Sequence, residues 1–238
     1  MVSEFDYNTL RKNPFNMAVM GKTGSGKTTF LKNLLLKIGV GHFKFIYLIT
    51  SSEVNYKANE YHKYIYPNHV FYLNKDTNNI KILLGSYLKK IRNFSYDNKD
   101  LIGVTNTLVI FDDIGKETKE KLENFTNECR HSNISNIFLV HRLEHLDTTT
   151  RDSITYYVIN SATENLDYMQ CNKTIKNEIM TDVINTYNEY NGKGLYVIIH
   201  ESIVYTSLIK QEDIDNIKKE DKYVFCTESY IKKFILSE

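Results

Sequence analysis

The eight residues Gly21-Lys22-Thr23-Gly24-Ser25-Gly26-Lys27-Thr28 constrain this chain more than any other part of it. They fill every fixed position of the phosphate-loop pattern G-x-x-x-x-G-K-[ST]. A short apolar run, Phe15–Met20, precedes them, and a helical pattern, Thr28–Ile38, follows. Strand, tight loop and helix in that order build a cradle for phosphate. Gly21, Gly24 and Gly26 let the backbone curl until its N–H groups face inward. The helix adds the positive end of its dipole. Lys27 is then placed to reach the β- and γ-phosphates of a nucleotide, and Thr28 to offer its hydroxyl to Mg²⁺, with Thr29 closing the binding stretch. A Gly-rich turn with chance spacing would lack this context.

Composition narrows the class without deciding it. A chain of 238 residues is one large domain, or one domain with appendages. Apolar residues make up 42% and charged residues 25%, as in an ordinary globular chain. The formal net charge of +1 excludes a global basic field. Any nucleic-acid contact must therefore come from a local patch or an assembled ring. Cys129, Cys171 and Cys226 have no metal-ligand spacing and no disulfide framework, which points to a reducing compartment and to small buried side chains. No apolar run reaches the length of a membrane span, and the N-terminal sequence is not a signal peptide.

Strand-like and helix-like stretches alternate along the chain. Strands are expected at Phe15–Met20, Phe43–Thr50, His69–Leu73, Thr107–Phe111, Asn136–Val140, Tyr156–Asn160, Leu195–His200 and Ser202–Leu208, the last two as a hairpin. Helices are expected at Lys27–Ile38, Thr77–Asn93 and Glu117–His131, with short terminal ones at Ile214–Lys219 and Ser229–Leu236. The polar stretch Ser95–Thr105 reads as a surface loop. The alternation predicts an α/β fold, a mostly parallel sheet with helices on both faces, and the phosphate loop puts it in the P-loop NTPase class. The expected division is an N-terminal arm over residues 1–14, an ATPase domain over 15–210 and a helical tail over 211–238. Ligands bind such sheets at the carboxyl ends of the strands, where the phosphate loop lies.

A second signal is Leu108-Val109-Ile110-Phe111-Asp112-Asp113, an apolar strand ending in two acids. A strand followed by a polar turn would look alike, but the phosphate loop upstream favours chemistry. Asp112 would join Thr28 in the Mg²⁺ shell. Asp113 would sit by the γ-phosphate and polarise the attacking water as a general base. His141 follows the strand Asn136–Val140. It either senses the γ-phosphate by a single hydrogen bond or simply caps a strand end. Arg130 and Arg151 are candidate arginine fingers, or solvated surface arginines. Neither is on the loop, so either would act on a neighbouring subunit's site.

Together, Gly21–Thr28, Val-Ile-Phe-Asp-Asp at 109–113, Cys-Arg-His at 129–131 and Thr-Thr-Arg-Asp at 149–152 resemble the genome-packaging ATPases of the poxvirus type. These belong to the FtsK–HerA superfamily of DNA-pumping ATPases in large DNA viruses and virophages. The resemblance spans roughly residues 15–160. It implies a RecA-like core, a homo-oligomeric ring of five or six subunits, and ATP-driven movement of double-stranded DNA into a preformed capsid. Capsid or portal-like vertex proteins would be partners, and the infected-cell cytoplasm or the virion the place of action. It also implies nucleotide and Mg²⁺ contacts for Lys27 and Thr28, the metal acid in Asp112, the second acid in Asp113, and the trans finger in Arg130, with Arg151 next. The sequence departs twice: His141 stands where many relatives have glutamine, and Asp113 where many have glutamate.

DNA contacts are sought in Lys57 and Lys63, in the long loop expected after the second strand, and in Lys89, Lys90 and Arg92 on the helix that follows. Tyr56, Tyr61, Tyr64 and Tyr66 either stack on bases or pack. Two other readings of the phosphate loop remain, a P-loop kinase for a nucleoside or small molecule and a nucleotide-gated assembly protein. The dispersed arginines argue against a kinase lid, and the paired acids argue against a protein that only binds.

Overall fold

The computed structural model describes residues 2–39, 41–73, 80–97, 106–114, 119–129, 132–159, 169, 176–189 and 195–209. Nine strands form one sheet among these residues. They are β1 (Ser3–Glu4), β2 (Asn16–Met20), β3 (Phe45–Thr50), β4 (Val70–Tyr72), β5 (Thr107–Asp112), β6 (Ile134–Val140), β7 (Tyr156–Ile159), β8 (Leu195–His200) and β9 (Ile203–Leu208). Their spatial order is β1-β9-β8-β7-β2-β6-β5-β3-β4. Every pairing is parallel except those that β8 makes with β7 and β9. Strands β2, β3, β5 and β6 are buried at every residue. This is the expected condition of parallel strands covered on both faces, and it explains their unbroken apolar runs.

Helices cover the two faces. On one lies α1 (Lys27–Ile38), whose Phe30, Leu31, Leu34, Leu35 and Ile38 recur at helical spacing and are all buried. The same apolar cluster takes in Phe5, Tyr7 and Leu10 from the N-terminal segment. On the other face lie α3 (Ile80–Asp97), α4 (Lys119–Cys129) and α6 (Asn177–Glu189). They contribute Leu84, Leu88 and Ile91; Leu122, Phe125 and Cys129; and Ile179, Met180 and Val183. Two short helices, α2 (Glu53–Ala58) and α5 (Thr148–Asp152), follow β3 and precede β7.

Most expected elements appear within a few residues of their expected bounds; strand β1 and the short helix α5 had no expected counterpart, and three further findings differ. The segment after β3, expected as a loop, is helical from Glu53, because Ser52 accepts the Asn55 N–H at 3.2 Å and so caps a first turn. Helix α3 runs to Asp97 and takes up the start of the expected loop Ser95–Thr105. Phe94 gives its last turn an apolar anchor, packed edge-on against Phe45 at 4.8 Å. Helix α6 had no counterpart in the expected elements. The terminal helices expected at residues 214–219 and 229–236 lie outside the described residues. Among the described residues, no helix is long and apolar enough to cross a membrane.

Candidate functional site

Parallel pairing brings four strand ends to one edge. Met20 is level with Val140, Asp112 with Leu139, and Thr50 with Asp112. The residues that leave the sheet there are Gly21, His141, Asp113 and Ser51, from four strands adjacent in space. Above them is an open cleft of about 470 Å³, within the usual range for a small-molecule site. Thr23, Gly24, Gly26, Lys27, Thr28 and Thr29 line one side, and Asp112, Asp113, His141, Asn55 and Asn59 the other.

The loop is shaped by its glycines. Gly24 and Gly26 have φ of 77° and 90°, in the left-handed region that other residues avoid. A Cβ on Gly21 would lie 2.3 Å from Ser25 Oγ, so a side chain here would force Ser25 to shift. The Gly21 N–H donates to the Val140 carbonyl at 3.2 Å, tying the loop to β6. At its far end the Gly26 carbonyl accepts from the Phe30 N–H at 2.8 Å and from the Tyr196 hydroxyl at 2.9 Å. Tyr196, on β8, thus pins the start of α1. Lys27 Nζ folds over the loop and donates to the carbonyls of Gly21 at 2.7 Å and Lys22 at 3.0 Å. Burial pulls its proton affinity down, and the charges of Asp112 and Asp113 push it partly back up.

The two acids differ in environment. Asp112 is buried, and desolvation pushes its pKa up to about 6. Neighbouring Asp113 acts in the same direction, while the Tyr61 hydroxyl, Lys27 and the Asn59 amide, which donates to Oδ2 at 3.1 Å, oppose it. The Tyr61 hydroxyl is fully buried beside Asp112 and Thr28, and burial together with the Asp112 charge raises its pKa. Asp113 is half-exposed and has φ of 54°, a left-handed turn that aspartate tolerates better than most residues. Its Oδ1 lies 3.6 Å from His141 Nε2. Its Oδ2 lies 3.4 Å from both Ser51 Oγ and Asn55 Nδ2.

The structure therefore brings together the loop residues Gly21–Thr29, both acids and His141. It does not bring Arg151 into the cleft: that guanidinium donates to the Leu146 carbonyl at 2.9 Å and to Thr148 Oγ1 at 3.1 Å, on its own turn. Arg130 lies outside the described residues. Tyr56, Tyr61 and Tyr64 are core residues and Tyr66 is half-buried, so packing is their role. Lys57 projects from α2 and pairs with Glu53 at 2.7 Å. Lys89 and Lys90 are exposed on α3, and Arg92 is half-buried. Of the three cysteines, Cys129 is buried and unbridged, while the other two lie outside the described residues.

Sequence reasoning missed Ser51, Asn55, Asn59, Tyr61 and Tyr196. Ser51 reaches Asp113 from the end of β3, and Asn55, Asn59 and Tyr61 reach the acids because α2 and the turn after it fold back over the ends of β3 and β5. Its one sequence signal is Ser52 ahead of a possible first turn. Tyr196 is separated from the loop by some 170 residues of chain, and nothing local marks it.

Comparison with known proteins follows the same direction. The family model described as Poxvirus A32 protein matches residues 2–237. The chain is 29% identical over 210 residues to DNA packaging protein OPG160 of vaccinia virus (strain Copenhagen), covering 84% of this chain and 74% of that protein. Among solved structures it is similar to B204, the DNA-packaging ATPase from Sulfolobus turreted icosahedral virus. The TM-score is 0.55 at 16% identity, over 83% of this chain and 100% of that one. It is also similar to the genome packaging NTPase B204 from Sulfolobus turreted icosahedral virus 2 in complex with AMPPCP. There the TM-score is 0.57 at 14% identity, over 83% and 98% of the two chains.

Proposed function

This chain belongs to the Poxvirus A32 protein family, and from that premise we propose that it is an ATP-hydrolysing motor that moves double-stranded DNA into a viral capsid. The observation that carries the proposal is the cleft itself, in which a phosphate loop faces two adjacent carboxylates of unlike environment. The relatives named DNA packaging proteins point the same way.

The loop N–H groups hold the phosphates, with Thr29 at the rim. Lys27 exchanges the carbonyls of Gly21 and Lys22 for the β- and γ-phosphate oxygens. Thr28 and Asp112 are the residues to hold Mg²⁺, a hard cation that takes one or two carboxylates and substrate phosphates. The local chemistry fits a cation. Burial makes a lone charge on Asp112 costly, a cost that a bound cation would offset, and the Thr28 side chain lines the same cleft. When bound, Mg²⁺ neutralises charge building up on the phosphates. Asp113, half-exposed at the cleft floor, is the group to accept the proton of the attacking water. His141, 3.6 Å from Asp113 and lining the same cleft, would sense the γ-phosphate by a single hydrogen bond. A neighbouring copy in a five- or six-membered ring would supply the arginine finger, Arg130 or, after leaving its own turn, Arg151. DNA would run through the ring, with capsid or portal-like vertex proteins as docking partners, in the infected-cell cytoplasm or the virion.

The test is phosphate release from ATP by wild-type protein and by Lys27→Ala, with and without duplex DNA. Turnover that depends on Lys27, rises with protein concentration and rises again with DNA is expected. Equal turnover in the variant defeats the enzymatic part. A chain that stays monomeric with an ATP analogue and duplex DNA defeats the translocation part.

A further inference from the structure

Helix α2 and its C-terminal cap carry an asparagine for each acid. Asn55 and Asn59 are four residues apart and therefore share one face of the turn. Asn59 Nδ2 donates to Asp112 Oδ2 at 3.1 Å. Asn55 Nδ2 donates to Ser51 Oγ at 2.6 Å and lies 3.4 Å from Asp113 Oδ2, which Ser51 Oγ also approaches at 3.4 Å. The helix is held firmly enough to aim them. Ser52 caps its start, and the Asn59 N–H closes its end on the Asn55 carbonyl at 3.0 Å. Between them Tyr56 is buried in the core and donates its hydroxyl to the Ile65 carbonyl at 3.2 Å. The opposite face is solvent: Val54 is 74% exposed, and Glu53 and Lys57 pair with each other there.

Resting on the proposed ATPase reading, we infer that Asn55 and Asn59 are positioning residues that divide the two halves of the hydrolytic site between them. Asn59 orients Asp112, the metal-side acid. Asn55, with Ser51, orients Asp113, the water-side acid. An amide donates to a carboxylate without adding charge, so each carboxylate keeps its free lone pairs directed at its own ligand. The two contacts sit on one rigid turn, so the acids are set relative to each other as well as to the loop.

The test separates the halves. Three quantities are measured for wild type, Asn55→Ala and Asn59→Ala: kcat at saturating ATP and Mg²⁺, the Mg²⁺ concentration for half-maximal rate, and the Mg²⁺-dependent affinity for a fluorescent ATP analogue. Asn55→Ala is expected to lower kcat about tenfold to a hundredfold while leaving the Mg²⁺ midpoint and the analogue affinity near wild type. Asn59→Ala is expected to raise the Mg²⁺ midpoint and weaken Mg²⁺-dependent analogue binding by about tenfold, with the saturated kcat largely kept. Val54→Ser, on the outer face, should match wild type in all three. If an alanine variant fails to fold, Asn55→Leu and Asn59→Leu come close in volume, lose the donor without adding charge and should show the same split. Parallel changes in all quantities for both variants, or no change in either, overturn the inference while wild-type hydrolysis still supports the ATPase reading. Absence of wild-type hydrolysis overturns both.

Discussion

Asp112 is where binding and stability pull against each other. A carboxylate with a usual pKa near 3.8 is held at about 6, chiefly by burial. Between those values the folded chain binds more protons at this position than the unfolded chain does. The group's contribution to stability therefore falls as pH rises from about 4 to about 6, and the full cost is present above that. Asp112→Asn removes the charge and keeps the shape, and the amide can still accept from Asn59. Without nucleotide or Mg²⁺ at pH 7 the variant should be the more stable protein, by at most about 3 kcal/mol. Its advantage should fade toward pH 4, and Mg²⁺-dependent turnover should be lost. Thermal denaturation across pH 4–7 measures the first effect and phosphate release the second. An unchanged melting point at pH 7 would show that the buried charge costs nothing. At this scale the acids themselves were legible, because a buried strand ending in two carboxylates is a local pattern. Their unequal environments were not, because desolvation depends on what α2 and the loop place around each one.

The phosphate loop is the element best written in the sequence. Its glycines are required by positive φ at Gly24 and Gly26 and by the close approach of Ser25 to Gly21. Gly21→Ala should leave the sheet intact by circular dichroism but displace Ser25, reshape the cradle and weaken nucleotide binding by tenfold or more, on the order of the loss of one or two charge-assisted hydrogen bonds. Near-normal binding would mean that the loop tolerates the shift. The central strands were also legible, since burial on both faces leaves apolar runs with no alternation. Helix α2 was not, whereas α6 carried a readable pattern although no element was expected there. A six-residue helix with polar residues facing a site offers no periodicity to detect, so α2 depends on its cap and on Tyr56. In α6 the buried residues Ile179, Met180 and Val183 do fall at helical spacing, interleaved with polar residues.

Across the whole molecule, strand β1 closes the sheet by pairing in parallel with β9, the strand farthest from it in sequence. Behind it Phe5, Tyr7 and Leu10 enter the cluster around α1, and Tyr7 and Ser207 join their hydroxyls in the interior. Burial drives the Tyr7 pKa up to about 12. Deleting residues 1–14 should therefore cost roughly 2 kcal/mol for each of the three apolar side chains and lower the melting temperature by several degrees at least. An unchanged melting temperature would make the segment a dispensable arm. The sequence by itself determined what depends on neighbours along the chain: the loop's curvature, the strand–loop–helix order, the two acids at a strand end and the two-sided burial of the sheet. Backbone sterics and hydrophobic periodicity act over a few residues, so they leave a local record. Only the tertiary structure decided which distant side chains stand over the site. Asn55 and Asn59 on the acids, Tyr196 on Gly26 and Arg151 on its own turn follow from strand order and helix placement. Those are set by summed burial over the whole core, and no short stretch of chain encodes them.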